Sequence, residues 1–500
     1  MVLLSKKMKA KMNKNLPPIR YTTSCSLLLL TLFFLVATCG VYFFWYLEGP
    51  ISFGPSVKEK PSVPVKPGDD LGKMLQQVQS NTTLLLDPGT YRGNFKLTNK
   101  SGISLKGTGA SSGEVVLHSP TGHALAIQDC VKCEIENLSI KTDAPKLPAL
   151  WIVHSEKIVG KRIIAEGVDY SIQAQAKSSD IELMECKLSG TLELQECARV
   201  SLEGNLIEAS NQVALKMYRV SQVTLDKNEI KGTQGILMKE VSSEKSYENC
   251  LLRNRIVGSS KEAFVLEHSS AFSITSSEFE SEKEGAALSV LKCEKIQIGK
   301  FGLRNKVKAS SGSALEISGS QEITVTDGWF SNQGKESPCL RIEVCSHVQL
   351  LKNRIVGLVE YKDGEVLDVK GGGVTISKSL EVKVNQNQIS YATAAGVLVE
   401  KDSVVFLANN RVENNRSSGI EVIDSQATIS LGNHVSKNRT GIVFRKSRGS
   451  ISENKIKENK REGILLENSS PSIVKNEIAQ NDNDGLSLQE SYPEIKENQF

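Results

Sequence analysis

Aromatic side chains make up only 5% of the 500 residues, and the formal net charge is +4. Nucleic-acid grooves need a concentrated positive field and stacking platforms, so neither figure points to a nucleic-acid partner. Ten cysteines are present but scattered. Cys25 and Cys39 lie in or beside an apolar N-terminal run, and the one CxxC, Cys130 and Cys133, has no second pair at zinc-site spacing. A disulfide-built scaffold is therefore not indicated, and buried free thiols, Cys339 for instance, are the remaining reading. The six histidines, His118, His123, His154, His268, His347 and His434, share no motif, and Asp69-Asp70 is the only Asp-Asp pair.

What the chain does have is a beat. Gly419, Gly441, Gly463 and Gly485 stand 22 residues apart. One and three places after the glycine the residues are apolar (Ile442 and Phe444, Ile464 and Leu466, Leu486 and Leu488), which is strand alternation. A second apolar spot follows at Ile451, Ile473 and Ile495, and three places on comes an asparagine: Asn454, Asn476, Asn498. So short a unit cannot bury its apolar face alone, and stacking one turn of chain on the next is the economical solution. Each position then forms a row, and the asparagines are expected to hydrogen-bond along theirs as a structural ladder.

Upstream the pattern loosens but persists. Small residues before an apolar one recur from Gly102 and Ala124 through Ala214, Ala287 and Cys339 to Gly396, and the asparagine row is traced through Asn137, Asn205, Asn228, Asn254, Asn353, Asn387 and Asn409. The longer gap from Tyr361 to Gly373 reads as a turn carrying an insertion. The expected fold is all-β, a right-handed parallel β-helix of about 17 to 18 coils, about 80 to 90 Å long at the spacing of strands. At its entry, Leu71, Met74, Leu75 and Val78 make one helical stripe after the candidate caps Asp69 and Asp70, a capping helix over the first coil.

This repeat, with the Leu84 to Leu86 strand, the Asp87-Pro88-Gly89 turn and Tyr91, resembles the parallel β-helix repeat of the pectin-lyase-like superfamily over about residues 66 to 500. The resemblance implies a fold more than a function, because that superfamily holds lyases, hydrolases, epimerases, adhesins and adaptors. The C-terminal units also resemble repeats associated with carbohydrate binding and sugar hydrolysis, and those of ubiquitin-ligase adaptors.

The first residues are of another kind. Residues 1–26 form a basic tail, with Lys6, Lys7, Lys9, Lys11, Lys14 and Arg20 and no acid before the uncharged run Leu27 to Leu47. That run of 21 residues is long enough as a helix, about 31 Å, to span a bilayer, and it ends in an aromatic cluster. The expectation is an uncleaved signal-anchor with the N-terminus cytoplasmic, a Pro-rich linker over 48–66, and the repeat domain over 67–500 outside the cytoplasm. Six Asn-x-Ser/Thr sequons begin at Asn81, Asn99, Asn137, Asn415, Asn438 and Asn468.

For chemistry, the resemblance implies calcium carboxylates with a basic residue in lyases and clustered aspartates in hydrolases. Neither signature is found, nor is the Asp-Pro-His of alginate-type epimerases. Asn481 to Gly485, NDNDG, lacks the rest of a calcium loop. The best catalytic candidates are Glu203 and Asp226, two places before ladder asparagines and facing out, about 5 Å apart on consecutive coils. No cofactor is expected, though such a pair is compatible with calcium. From Lys437 to Glu462 nine cations face three acids, and Arg445, Lys446 and Arg448 are the candidate contacts for an anionic ligand. Two function classes stay open: a membrane-anchored rod that binds or processes a polysaccharide or envelope polymer, as lyase, hydrolase or epimerase if enzymatic, and a non-enzymatic scaffold or adhesin. The last coil, ending at Phe500, offers an edge where a protein partner is expected.

Overall fold

Every turn of the repeat is a strand, a tight corner and one or two further strands, and the computed structural model stacks these turns into a solenoid. The described residues are 60–243, 249–334, 336–362 and 365–500. The basic tail, the expected span Leu27 to Leu47 and most of the linker lie outside them. Among the described residues no helix is long and apolar enough to cross a membrane.

One sheet has 19 strands, from Ser62–Val65 to Glu494–Lys496, and so defines 18 intervals between turns. The other has 31 strands, because most turns contribute two, while in the region from Ile164–Gln175 to Glu229–Lys239 one long bent strand does the work of both. Parallel pairing keeps like residues over like: Val200 over Val223, Leu202 over Leu225, Ile442 over Ile464. These inward side chains are fully or almost fully buried and join one continuous core. The helix after Asp70 is Leu71–Gln77, where the Asp70 carboxylate accepts a hydrogen bond from Lys73 N at 2.9 Å and Leu71 and Leu75 enter the core.

The expected linker boundary moves. Ser62–Val65 is a strand pairing with Thr83–Leu86. Its proline, Pro64, is tolerated because the strand lies at the sheet edge. The gap around Tyr361 is an antiparallel hairpin, Arg354–Lys362 with Glu365–Lys370. Gly371, Gly372 and Gly373, at φ of +69°, +79° and +79°, return its chain to the coil. A Cβ on Gly372 would come within 2.7 Å of Ala392 Cα, so no larger residue fits there.

The corner after most first-sheet strands from Val131–Glu136 onward has one left-handed residue followed by one inward residue. Asn454, Asn476 and Asn498 take the inward place. In Asn454 and Asn476 both the backbone N and the side-chain Nδ2 donate to the next asparagine's Oδ1 at 2.9 to 3.0 Å, and the Nδ2 also donates to the preceding turn's carbonyl at Ile429 or Ile451. The same row contains Asn205, Asn228, Asn254, Asn353, Asn387, Asn410 and Asn433. Asn137 and Asn409 do not belong to it. Both are left-handed, at φ of 56° and 54°, and the inward places beside them belong to Leu138 and Asn410. Asparagine tolerates both roles, so an asparagine at a corner does not by itself say which it takes.

A serine row lines the opposite corner. Ser379, Ser403, Ser425, Ser447, Ser469 and Ser491 each accept a bond from the backbone N of the preceding row member, at 2.9 to 3.2 Å. Upstream, Cys130, Cys293 and Cys345 occupy this row, each thiol facing the carbonyl two residues back, as the serine hydroxyls do. That explains three of the scattered cysteines: they are thiol versions of a ladder serine, whereas Cys186 stands in the asparagine row and Cys133 lies within a strand. All eight described cysteines are free, seven of them buried, and burial pushes the Cys293 thiol up to about 11.

Candidate functional site

Glu203 and Asp226 stand directly across from each other in adjacent strands, at the outward end before the corner. The pair is neutralised by its own neighbours. Lys227 Nζ lies 3.1 Å from Glu203 and 3.8 Å from Asp226, and Arg253 grips the Asp226 carboxylate with two nitrogens. Their like charges are thereby offset without a metal ion. Among the described residues no group of three or more His, Cys, Asp or Glu side chains is arranged to hold one. In NDNDG, the Asn481 Oδ1 accepts from Asn459 N at 3.1 Å and so serves a ladder.

The nine cations of Lys437 to Glu462 separate into groups. Arg445 is half-buried between carboxylates, with Glu467 at 2.7 Å and Glu421 on its other side. Burial works against its charge, but the bond to Glu467 and the field of Glu421 prevail and hold its pKa above the ordinary arginine value. Arg445 is therefore a structural ion, distinct from the two residues named with it. Lys446 and Arg448 are exposed, without a carboxylate partner, at the serine corner, where an open groove of about 600 Å³ is also lined by Asp402, Asp424, Gln426 and Asn468.

The second group sits where the hairpin leaves the coil. Lys437, Arg439, Lys460 and Arg461, with Arg416 from the preceding turn, are all exposed. Arg416 pairs with Asp368 of the hairpin at 3.0 Å and Lys437 with Glu458 at 3.7 Å, while Arg439, Lys460 and Arg461 have no carboxylate partner. Asp368, Val369, Tyr391, Arg416, Lys437 and Lys460 border a groove of about 460 Å³. A second asparagine ladder holds this corner, Asn415 to Asn438 to Asn459 to Asn481, with N to Oδ1 distances of 3.0 to 3.1 Å. Sequence reasoning missed both this ladder and the groove. The available signal was the recurrence of these asparagines three or four places before the glycines. Two sequons fall on the ladder: Asn415 and Asn438 are buried, so neither is open to glycosylation in the folded coil.

A family model described as "Right handed beta helix region" matches residues 101–300 and 372–500. The stretch between its two matches contains the hairpin. No curated protein matches the sequence. Among solved structures, pectin methylesterase PemA from Erwinia chrysanthemi is similar at 10% identity and a TM-score of 0.31, covering 46% of this chain and 81% of that one. The alginate lyase AlyGC of the PL6 family has 8% identity and a TM-score of 0.33, covering 88% and 100%. The catalytic unit of a GH87 α-1,3-glucanase from Streptomyces thermodiastaticus has 13% identity and a TM-score of 0.32, covering 74% and 66%. The reading of the site rests on this chain's own residues.

Proposed function

Because this chain belongs to the right-handed β-helix family, we propose that it is a membrane-anchored, extracytoplasmic coil that binds an acidic polysaccharide or envelope polymer. One observation carries this: Arg416, Lys437 and Lys460 line the groove beside the inserted hairpin, Lys460 without an acidic partner, and the exposed Arg439 and Arg461 that follow Asn438 and Lys460 in the chain are likewise unpaired. Cations without an acidic partner occur elsewhere on the coil, but at this corner they converge on one groove. Here the cations are left for a ligand, on a corner held rigid by an amide ladder. The anchoring is supported by the basic tail and the run Leu27 to Leu47.

Binding is proposed ahead of catalysis because the carboxylates that share a register, Glu203 and Asp226, are committed to Lys227 and Arg253. The test is retention of the detergent-solubilised full chain on immobilised polygalacturonate. Lys437→Glu with Lys460→Glu should weaken retention about ten-fold or more, and Lys446→Glu with Arg448→Glu less, with retention falling as salt rises. Equal retention of parent and both variants, with unchanged circular dichroism, would remove the reading and favour a protein-binding scaffold.

A further inference from the structure

On the second sheet, the residue after each inward asparagine place points out of the coil, and the register stacks these residues in one column. From Lys306 to Lys455 the cations Lys306, Arg354, Arg411 and Lys455 occupy every second rung. Between them, in order, stand the uncharged Trp329, Gln388 and His434. Burial, and then Lys457 and Arg411, keep the His434 imidazole below its ordinary pKa, so it is neutral at pH 7. Glu278 precedes the column and Glu477 follows it, with no acid between them in the register.

The best-formed part is its start. Trp329 is 45% exposed, and the Arg354 guanidinium lies 5.2 Å from its ring centroid. Lys306 and Arg354, on the rungs either side of the indole, have no carboxylate partner. Further along, Arg411 leans on Glu413 at 2.7 Å and Lys455 on Glu477 at 3.5 Å. Beside the indole an open groove of about 390 Å³ is lined by Arg304, Asp327, Lys352, Gln386 and Gln388.

We propose that this column is a binding track for an acidic polysaccharide in which every second sugar carries the acid. The polymer lies along the coil axis, with an uncharged sugar stacked on Trp329 between acid groups held by Lys306 and Arg354. The proposal rests on the acidic-polysaccharide reading and adds to it the face, the direction and the charge period. Rungs about 4.8 Å apart put alternate cations about 10 Å apart. A linear sugar chain advances by about one rung per sugar, so an acid on each sugar would set every second carboxylate against Trp329, Gln388 or His434, desolvated without a countercharge. Phosphates about 3.4 Å apart along a duplex strand do not match this period, and one exposed indole is not a run of stacking platforms. The glutamine amides, able both to donate and to accept, suit sugar hydroxyls.

The test is calorimetric titration of the full chain in detergent with three probes at one salt concentration: a hyaluronan octasaccharide, which alternates acidic and neutral sugars, octagalacturonate, and single-stranded DNA. Hyaluronan should bind at least ten-fold more tightly than octagalacturonate. Lys306→Glu with Arg354→Glu should lose ten-fold or more of that affinity, and Trp329→Ala about three- to ten-fold, all with unchanged circular dichroism. Lys437→Glu with Lys460→Glu should leave the preference for hyaluronan in place. Octagalacturonate binding as tightly as hyaluronan, DNA binding tightest, or affinity indifferent to Lys306 and Arg354 overturns the track. If acidic sugars bind through Lys437 and Lys460 alone, the track falls and the general reading stands; if neither oligosaccharide binds, both fall.

Discussion

The coils from Gly396 onward and those between Ile164 and Lys239 solve one problem in two ways. In the C-terminal coils three side-chain rows, two of asparagine and one of serine, tie each turn to the next. A side-chain amide reaches only the adjacent rung, so these rows hold the period near 22 residues and leave no room at the glycine row. In the middle coils the asparagine row shortens to Asn205 and Asn228, and its next upstream place belongs to Cys186. Ion pairs between turns decorate the outside in both regions, Arg199 with Asp180 and Arg219 with Glu196 and Glu240 here, Arg445 with Glu467 there, but here fewer amide ladders back them. Long flexible side chains tolerate changes of corner length, and there the strands run long and the repeat drifts. Buried ladders enforce a period, and surface ion pairs permit its loss.

The sharpest way to break this contrast is Gly441→Ala. An added Cβ would come within 2.3 Å of the Gly463 carbonyl oxygen, so the backbone must shift, at a cost of about 3 kcal/mol. The upstream coils carry alanine in the same row, at Ala263, Ala287 and Ala314, all buried. Thermal melts should show a large loss; a variant as stable as the parent would mean that the glycine row is not set by the ladders. Asn476→Leu comes next. It leaves Asn454 without its acceptor and should lower stability by about 2 kcal/mol in denaturant titration. An unchanged midpoint would reduce the row to turn formers.

Smallest is Arg199→Ala, worth less than about 1 kcal/mol because the pair is exposed. Its signature is in pH. The bond from Arg199 holds the Asp180 carboxyl below its ordinary range, so the stabilisation is present above the unfolded aspartate value near 4 and is lost as pH falls through the depressed folded value. Hydrogen-exchange protection in Ser179–Met184, taken relative to the intrinsic rate at each pH, should therefore fall in acid in the parent and show less acid dependence in the variant. Equal acid dependence in both would separate Asp180 from the effect.

The fold was legible because the glycine beat and the strand alternation come from one cause, the core of each turn. The first asparagine row was legible for the same reason, apart from Asn137 and Asn409, where a residue suited to both corner positions misled by one place. The serine row was not, since serine is common at any turn and its role shows only when Cys293 and Cys345 stand in for it. The candidate site was legible as composition alone. An excess of cations from Lys437 to Glu462 says nothing of which are paired, because the partners lie a turn away: Arg445 is taken by Glu421 and Glu467, and Lys460 is not taken. The linker boundary was missed because Pro61, Pro64 and Pro67 mask a strand whose pairing lies some twenty residues downstream.

The placing of the thiols makes this coil its own recorder of how it comes apart. Each turn touches only its neighbours, so unravelling travels as a front from one end or the other. Buried cysteines mark the path from Cys130 to Cys345, and none lies in the coils beyond. A front entering from the C-terminal side would stay silent to a thiol reagent until it reached Cys345, then register Cys339, Cys293 and the rest in turn. One entering from the helix side would sound Cys130 and Cys133 first. The order in which thiols react is thus a clock for the direction of collapse, carried by side chains whose static duty is only to fill the coil's interior rows.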